Sequence, residues 1–199
     1  MTVETETILG SIREALSSAR VSLRKNPGPS GQHSLLVDGG SLVEVCTFLR
    51  DSLAFDLLSN VTGVDWPDAA KADLIAVPEG EGSPLAEGGF LEVLYHLYST
   101  TKREGPLVLR ARTADRGENA EVPSIVSVYR SAEFQEREIF DLYGIVFTGH
   151  PDLRRILMWD EFEDHPMRKD YVAPDDYEYE PTPHDAVLEK AKLHYPAKP

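Results

Sequence analysis

Cysteine is almost missing from this chain: Cys46 stands alone among 199 residues. A single thiol excludes an internal disulfide, a cysteine-built zinc site and an iron–sulfur cluster held within the chain. Long apolar runs are missing too. None approaches the ~20 residues a helix needs to cross a bilayer, and no charged-then-apolar leader opens the sequence. A soluble chain that does not enter a secretory route is expected. Positive charge is scarce, with 20 Lys and Arg against 34 Asp and Glu, a formal net charge of −14. Such a field repels phosphate backbones and anionic lipid, so nucleic acid and membrane surfaces are not expected partners, whereas basic proteins are. A Gly-x-Ser-x-Gly nucleophile elbow and a Gly-rich phosphate loop before a helix are also absent.

What is present suffices for one ordinary domain with an extension, since 41% of residues are hydrophobic. Ile8, Ile12, Leu16 and Ala19 fall on one stripe and predict an amphipathic helix over 6–25, broken by "NPGPSG". "HSLLV" reads as a short strand turned by Asp38-Gly39-Gly40. Ser41 and Glu44 then form a capping-box pattern ahead of a helix whose buried stripe includes Cys46. "FDLLSNVTGVDW", "FLEVLYHLY" and "PLVLRART" have strand composition, and "PSIVSVYR" is a fourth strand or an entry into the next helix. Short links between successive strands favour antiparallel pairing. The segment 78–89 is patternless and is expected to be a loop. "SAEFQEREIFDLYG" is a helix ended by Gly144, with Arg137, Glu138 and Asp141 on its polar arc, Arg137 and Asp141 spaced to pair; "IVF" follows as a brief strand. The fold class is therefore α+β: a mainly antiparallel sheet, helices packed on one face, and an extended C-terminal arm. Residues 1–148 form the core domain, 149–171 a motif-bearing loop region, and 172–199 a proline- and tyrosine-rich partner-binding arm with a short helical piece at 184–193.

"GHPDLRRILMWDEFEDHPMRKDY", residues 149–171, concentrates the polar chemistry. A metal site needs converging ligands, but His150 and His165 are fifteen residues apart and both precede proline, which biases them to extended or turn backbone. Either histidine with Asp160 could serve a free-standing hydrolase, as a general base beside a carboxylate. Arg154 and Arg155 point apart on any regular backbone, so they do not jointly clamp one small anion. An interface accounts for more of the stretch. Arginine forks suit buried pairing, Pro151 and Pro166 fix the backbone's direction, and Trp159, Phe162 and Tyr171 supply aromatic anchors. An internal role is the other reading, with the arginines fastened to Glu136, Glu138 or Asp141 of the preceding helix.

"EREIFDLYGIVFTGHPDLRRILM" followed by "HPMRKDY" resembles the C subunit of bacterial NADH:quinone oxidoreductase, the respiratory complex I 30 kDa subunit family, which has the chloroplast and cyanobacterial J subunit as its close relative. Glu136, Arg137, Glu138, Asp141, Gly144, His150, Pro151, Arg155 and the Arg168-Lys169-Asp170-Tyr171 block match in order, and "VTGVDW" and "LEVLYHLYS" match more faintly. Asp164, Met167, Val172 and Phe134 depart from the family's usual Gly, Leu, Pro and Trp.

The resemblance implies a non-catalytic scaffold in the peripheral arm of a complex that reduces quinone with electrons from NADH or ferredoxin and translocates protons. It implies no catalytic, cofactor or metal residues in this chain. Iron–sulfur clusters and quinone, with FMN and NADH where that donor module is present, belong to the parent complex. The D subunit is the implied main contact, beside the B and I subunits. The implied location is peripheral, on the cytoplasmic face of the inner membrane, or the stromal or cytoplasmic face of a thylakoid. The partner-interface or motif residues are then Glu136, Arg137, Glu138, Asp141, His150, Pro151, Arg154, Arg155, Trp159, His165, Pro166, Arg168, Lys169, Asp170 and Tyr171. The same module in a membrane-bound hydrogenase or another dehydrogenase complex is the alternative.

Overall fold

The computed structural model describes residues 4–26, 28–68 and 89–172. Residues to Lys169 form one compact unit, and a second begins at Asp170. The segment 78–88, the helical piece at 184–193 and nearly all of the C-terminal arm lie outside the described residues.

Helix α1 (Thr5–Ala15) buries Leu9 and Ile12, as its stripe requires. It ends well before the predicted stop at 25. Val21–Arg24 instead forms strand β1, paired antiparallel with β2 (Ser34–Val37). Val21 and Leu23 are buried two residues apart, so period two overrides the helical one once β2 offers backbone partners. Helix α2 (Gly39–Asp51) starts earlier than the capping box places it. Asp38 is the N-cap, its carboxylate accepting the Gly40 N–H at 3.2 Å. Ser41 lies inside the helix, and its hydroxyl accepts the Arg20 N–H at 3.2 Å. Cys46 is fully buried on the inner stripe.

Strands β3 (Leu57–Trp66), β4 (Phe90–Ser99) and β5 (Glu104–Arg112) complete a five-stranded sheet ordered β1-β2-β5-β4-β3. The sheet is mainly antiparallel, as expected; β2 and β5 alone run parallel. That pair arises because α2 carries the chain across the sheet and the β3–β4–β5 meander then returns beside β2. On β4, Val93, Tyr95 and Leu97 face a core shared with Leu42, Val45 and Leu49 of α2 and Ile139 of the last helix.

Only the segment leading into "PSIVSVYR" is strand. Strand β6 (Glu121–Pro123) pairs parallel with β7 (Val146–Thr148), and 126–128 turn. Pro123 ends the pairing, and Ile125 and Tyr129 then drop into the core. The Tyr129 hydroxyl donates to the Phe55 carbonyl at 2.7 Å. Between β6 and β7 runs α3 (Ala132–Tyr143). It packs on β3, where Gln135 accepts the Val61 N–H at 2.7 Å beside a break in strand register.

Candidate functional site

Two of the three residues on the polar arc of α3, Arg137 and Asp141, face inward. Glu136 and Asp141 are fully buried and Arg137 nearly so, while Glu138 stands exposed. The Glu136 carboxylate accepts the Ser124 hydroxyl at 2.6 Å and the Ile125 N–H at 2.9 Å, tying α3 to the segment after β6. Burial pushes its pKa up to about 7, against the pull of those two donors. Cys46 feels the Glu136 charge as well: burial, aided by that charge, raises its thiol to about 12.

Arg137 and Asp141 do not pair with each other as their spacing suggested. The loop's backbone engages each separately. Arg137 donates from Nε to the Arg154 carbonyl (3.1 Å) and from Nη2 to the Arg155 carbonyl (3.2 Å), with its guanidinium 5.6 Å over the Phe134 ring. Asp141 accepts Arg155 Nη1 at 2.7 Å on one oxygen. Its other oxygen accepts the N–H groups of Ile156, Leu157 and Met158 at 3.0, 2.7 and 2.9 Å. Burial alone would raise the Asp141 pKa. The three amides and the Arg155 guanidinium outweigh it and hold the group at about 2.

The "HPMR" run closes the end of α3. Gly144 takes the left-handed conformation (φ 74°) that lets the chain leave the helix. The last carbonyls then find donors in turn: Asp141 from His165 Nδ1 at 3.0 Å, Leu142 from the Met167 N–H at 3.1 Å, and Tyr143 from Arg168 Nε at 2.6 Å. Pro166, half-buried, sets the direction between these contacts. Burial depresses the His165 pKa; its bond to the Asp141 carbonyl opposes this, and the nearby Arg168 and Arg155 charges reinforce it.

His150 is engaged through both ring nitrogens, Nε2 donating to the Glu133 carbonyl at 2.9 Å and Nδ1 accepting the Asp152 N–H at 3.0 Å. Pro151 is exposed beside it, and exposed Arg154 pairs with Asp152 at 3.0 Å. Asp160 lies on the exposed part of the loop. Among the described residues no three His, Cys, Asp or Glu side chains gather to hold a metal ion, and no helix is long and apolar enough to cross a membrane.

Sequence reasoning passed over Asp65. This buried β3 carboxylate takes two 2.7 Å bonds from Arg116 and the Lys169 N–H at 2.8 Å, fastening the far end of the loop. A carboxylate at strand spacing from Val61 and Gly63, and so on the same inner face of β3, was the available signal. Lys169 itself is exposed, its ammonium 5.6 Å over the Trp66 ring. Asp170, exposed, and Tyr171, half-buried, begin the second unit. Trp159 is 55% exposed, set edge-on against Phe162 at 4.8 Å between centroids.

A motif so thoroughly used in holding one loop invites comparison with other chains. Residues 35–177 match the model of the family described as respiratory-chain NADH dehydrogenase, 30 Kd subunit. The chain belongs to that family. A relative from Salinispora tropica, named as the C subunit of NADH-quinone oxidoreductase, is 36% identical over 168 residues, covering 82% of this chain and 60% of that protein. The protein of the same name from Rhodopseudomonas palustris (strain TIE-1) is 41% identical over 144 residues, covering 71% and 59%. This 30 Kd family member thus spans about 60% of the length of these relatives. In Bacteroides fragilis (strain ATCC 25285) the match is to the C/D subunit of NADH-quinone oxidoreductase, 41% identical over 122 residues, covering 61% of this chain and 21% of that one. The fold is shared with a chain of an archaeal respiratory membrane complex, the membrane-bound sulfane sulfur reductase. The TM-score is 0.61 at 22% identity, covering 97% of this chain and 92% of that chain.

Proposed function

We propose that this 30 Kd family member is a non-catalytic scaffold subunit of a complex I-type oxidoreductase. That complex passes electrons from NADH or ferredoxin to quinone, coupled to proton translocation. The observation that carries the reading is the inward use of the motif. Arg137, Asp141, Arg155, His165 and Arg168 spend their hydrogen bonds fixing residues 149–169 against α3, Asp65 ties the end of that stretch to β3, and Glu136 ties α3 itself to the segment after β6. Such a block positions a surface; its charged groups are engaged with the chain's own backbone.

The D subunit is the main partner, through 136–171 and the arm 172–199, with the B and I subunits alongside. The double C/D designation of the Bacteroides relative supports this pairing, since one chain there carries both letters. Clusters, quinone and any FMN reside in the neighbours, and the scaffold reaches the cytoplasmic face of the membrane through them. A second reading places the same module in a hydrogenase-type or other respiratory membrane complex. The fold shared with the archaeal chain motivates it.

The test is to tag the chain in its own cell, solubilise membranes gently and identify what co-purifies. The B, D and I subunits are expected. NADH-oxidising flavin proteins among them favour the first reading, and hydrogenase-type partners the second. Recovery of the chain alone from the soluble fraction overturns both and returns attention to His150 and His165.

A further inference from the structure

We propose that the outer surface of residues 156–167 is the anchor of the scaffold's protein contact. It would seat in an apolar cleft, bordered by lysine and arginine side chains, on the partner. This rests on the scaffold reading and narrows it: the motif residues brace, and their neighbours touch.

Three observations carry the assignment. The first is exposure. Ile156, Leu157, Trp159 and Met167 are 39%, 61%, 55% and 52% exposed, half of the eight large apolar side chains that stand out among the described residues. A cluster confined to one short loop marks a contact surface, whereas scattered exposed apolar residues do not. The second is fixation. The loop lacks regular structure, yet Asp141 holds the amides of residues 156–158, and Arg155 Nη2 donates to the Asp164 carbonyl at 3.3 Å. From buried Asp141 the contacts run outward through Arg155, 5.6 Å over the Phe162 ring, to the Trp159 indole set against Phe162. An aromatic side chain already held in place loses little freedom on binding.

The third is charge. Asp160, Glu161, Glu163 and Asp164, all in the five residues that follow Trp159, are exposed, and none forms an ion pair with a described residue. That rim selects a basic border on the partner and opposes anionic lipid. It also opposes a second copy of this chain, since a twofold contact would set the acidic rims against each other.

The experiment compares the tagged, full-length wild-type chain with W159A/L157A and with D160K/E161K/E163K. L57A serves as a control, altering an exposed leucine on β3 far along the chain. Far-ultraviolet circular dichroism and thermal melting of each purified chain establish that it folds. The D subunit is then titrated against each. W159A/L157A is expected to bind it roughly thirtyfold more weakly or worse, as loss of a central aromatic anchor does, and D160K/E161K/E163K to bind it at least roughly tenfold more weakly, as like charges set against a basic border do, while L57A binds like wild type. Wild-type binding with undiminished binding by both loop variants overturns the inference and leaves the scaffold reading standing. A wild-type chain that fails to bind the D subunit overturns the scaffold reading itself. Two further outcomes each overturn the proposed occupant. One is a wild-type dimer abolished by W159A/L157A; the other is loop-dependent binding to phosphatidylcholine–phosphatidylglycerol vesicles.

Discussion

Two carboxylates on α3, Glu136 and Asp141, titrate in opposite directions because their donors differ. Glu136 has two neutral donors and, among the described residues, no ion pair, so burial dominates and its folded pKa rises from 4.5 to about 7. Its native state favours the protonated form. Stability from this group is therefore complete below about pH 4.5 and is lost as pH rises to about 7. Asp141 is the reverse, lowered from 3.8 to about 2, so its contribution is present above 3.8 and lost as pH falls toward 2. The variant E136Q keeps the shape and one acceptor while removing the titration. Its melting temperature is expected to match or exceed that of wild type at pH 8, and its decline between pH 5 and pH 8 to be shallower. A decline as steep as wild type's would mean that another group controls that window. The fastening of a loop arginine to Asp141 was legible as the internal reading of the stretch, and Arg155 supplies it. The opposite shifts were not, because the spacing of charges along a helix does not say how deeply a loop will bury each one or which donors it will bring.

The elements meet at the end of α3. Gly144 sits with φ 74°, and a methyl group there would collide with the His165 ring and lie 2.8 Å from the Arg168 guanidinium. The substitution G144A should cost about 1–3 kcal/mol, combining left-handed strain with displacement of the capping run. Chemical denaturation of the isolated chain measures this, and an unchanged midpoint would show that His165 and Arg168 do little to hold the helix end. The helix and its stop were legible, because Ile139 and Gly144 follow spacing rules that depend on the helix alone. The inner role of "HPMR" was not, since it depends on carbonyls some two dozen residues earlier in the chain. The same contrast separates α2, whose stripe was read correctly, from β1, where a neighbouring strand redirected residues placed in a helix by their spacing.

At the scale of the whole molecule, four of the sheet's five strands were legible, from "HSLLV" and three β-rich segments, but β1 and the parallel β2–β5 pairing were not. A strand's composition does not record which edge it will join. The net charge of −14 belongs to the whole chain. Self-repulsion should make the isolated chain melt at a higher temperature in ~150 mM salt than in ~10 mM, as the Debye length shortens from about 30 Å to about 8 Å. A lower melting temperature in salt would mean that screened attractions such as Arg154–Asp152 outweigh the repulsion. The loop's fastening has a consequence of another kind. Its early part is held by Asp141 on α3, and its late part by the α3 carbonyls and by Asp65 on β3. A protease that cut between Trp159 and Asp164 would free neither half, since each severed end stays knotted to the body of the molecule. The loop could be nicked just past its exposed Trp159 with both of its halves still fastened.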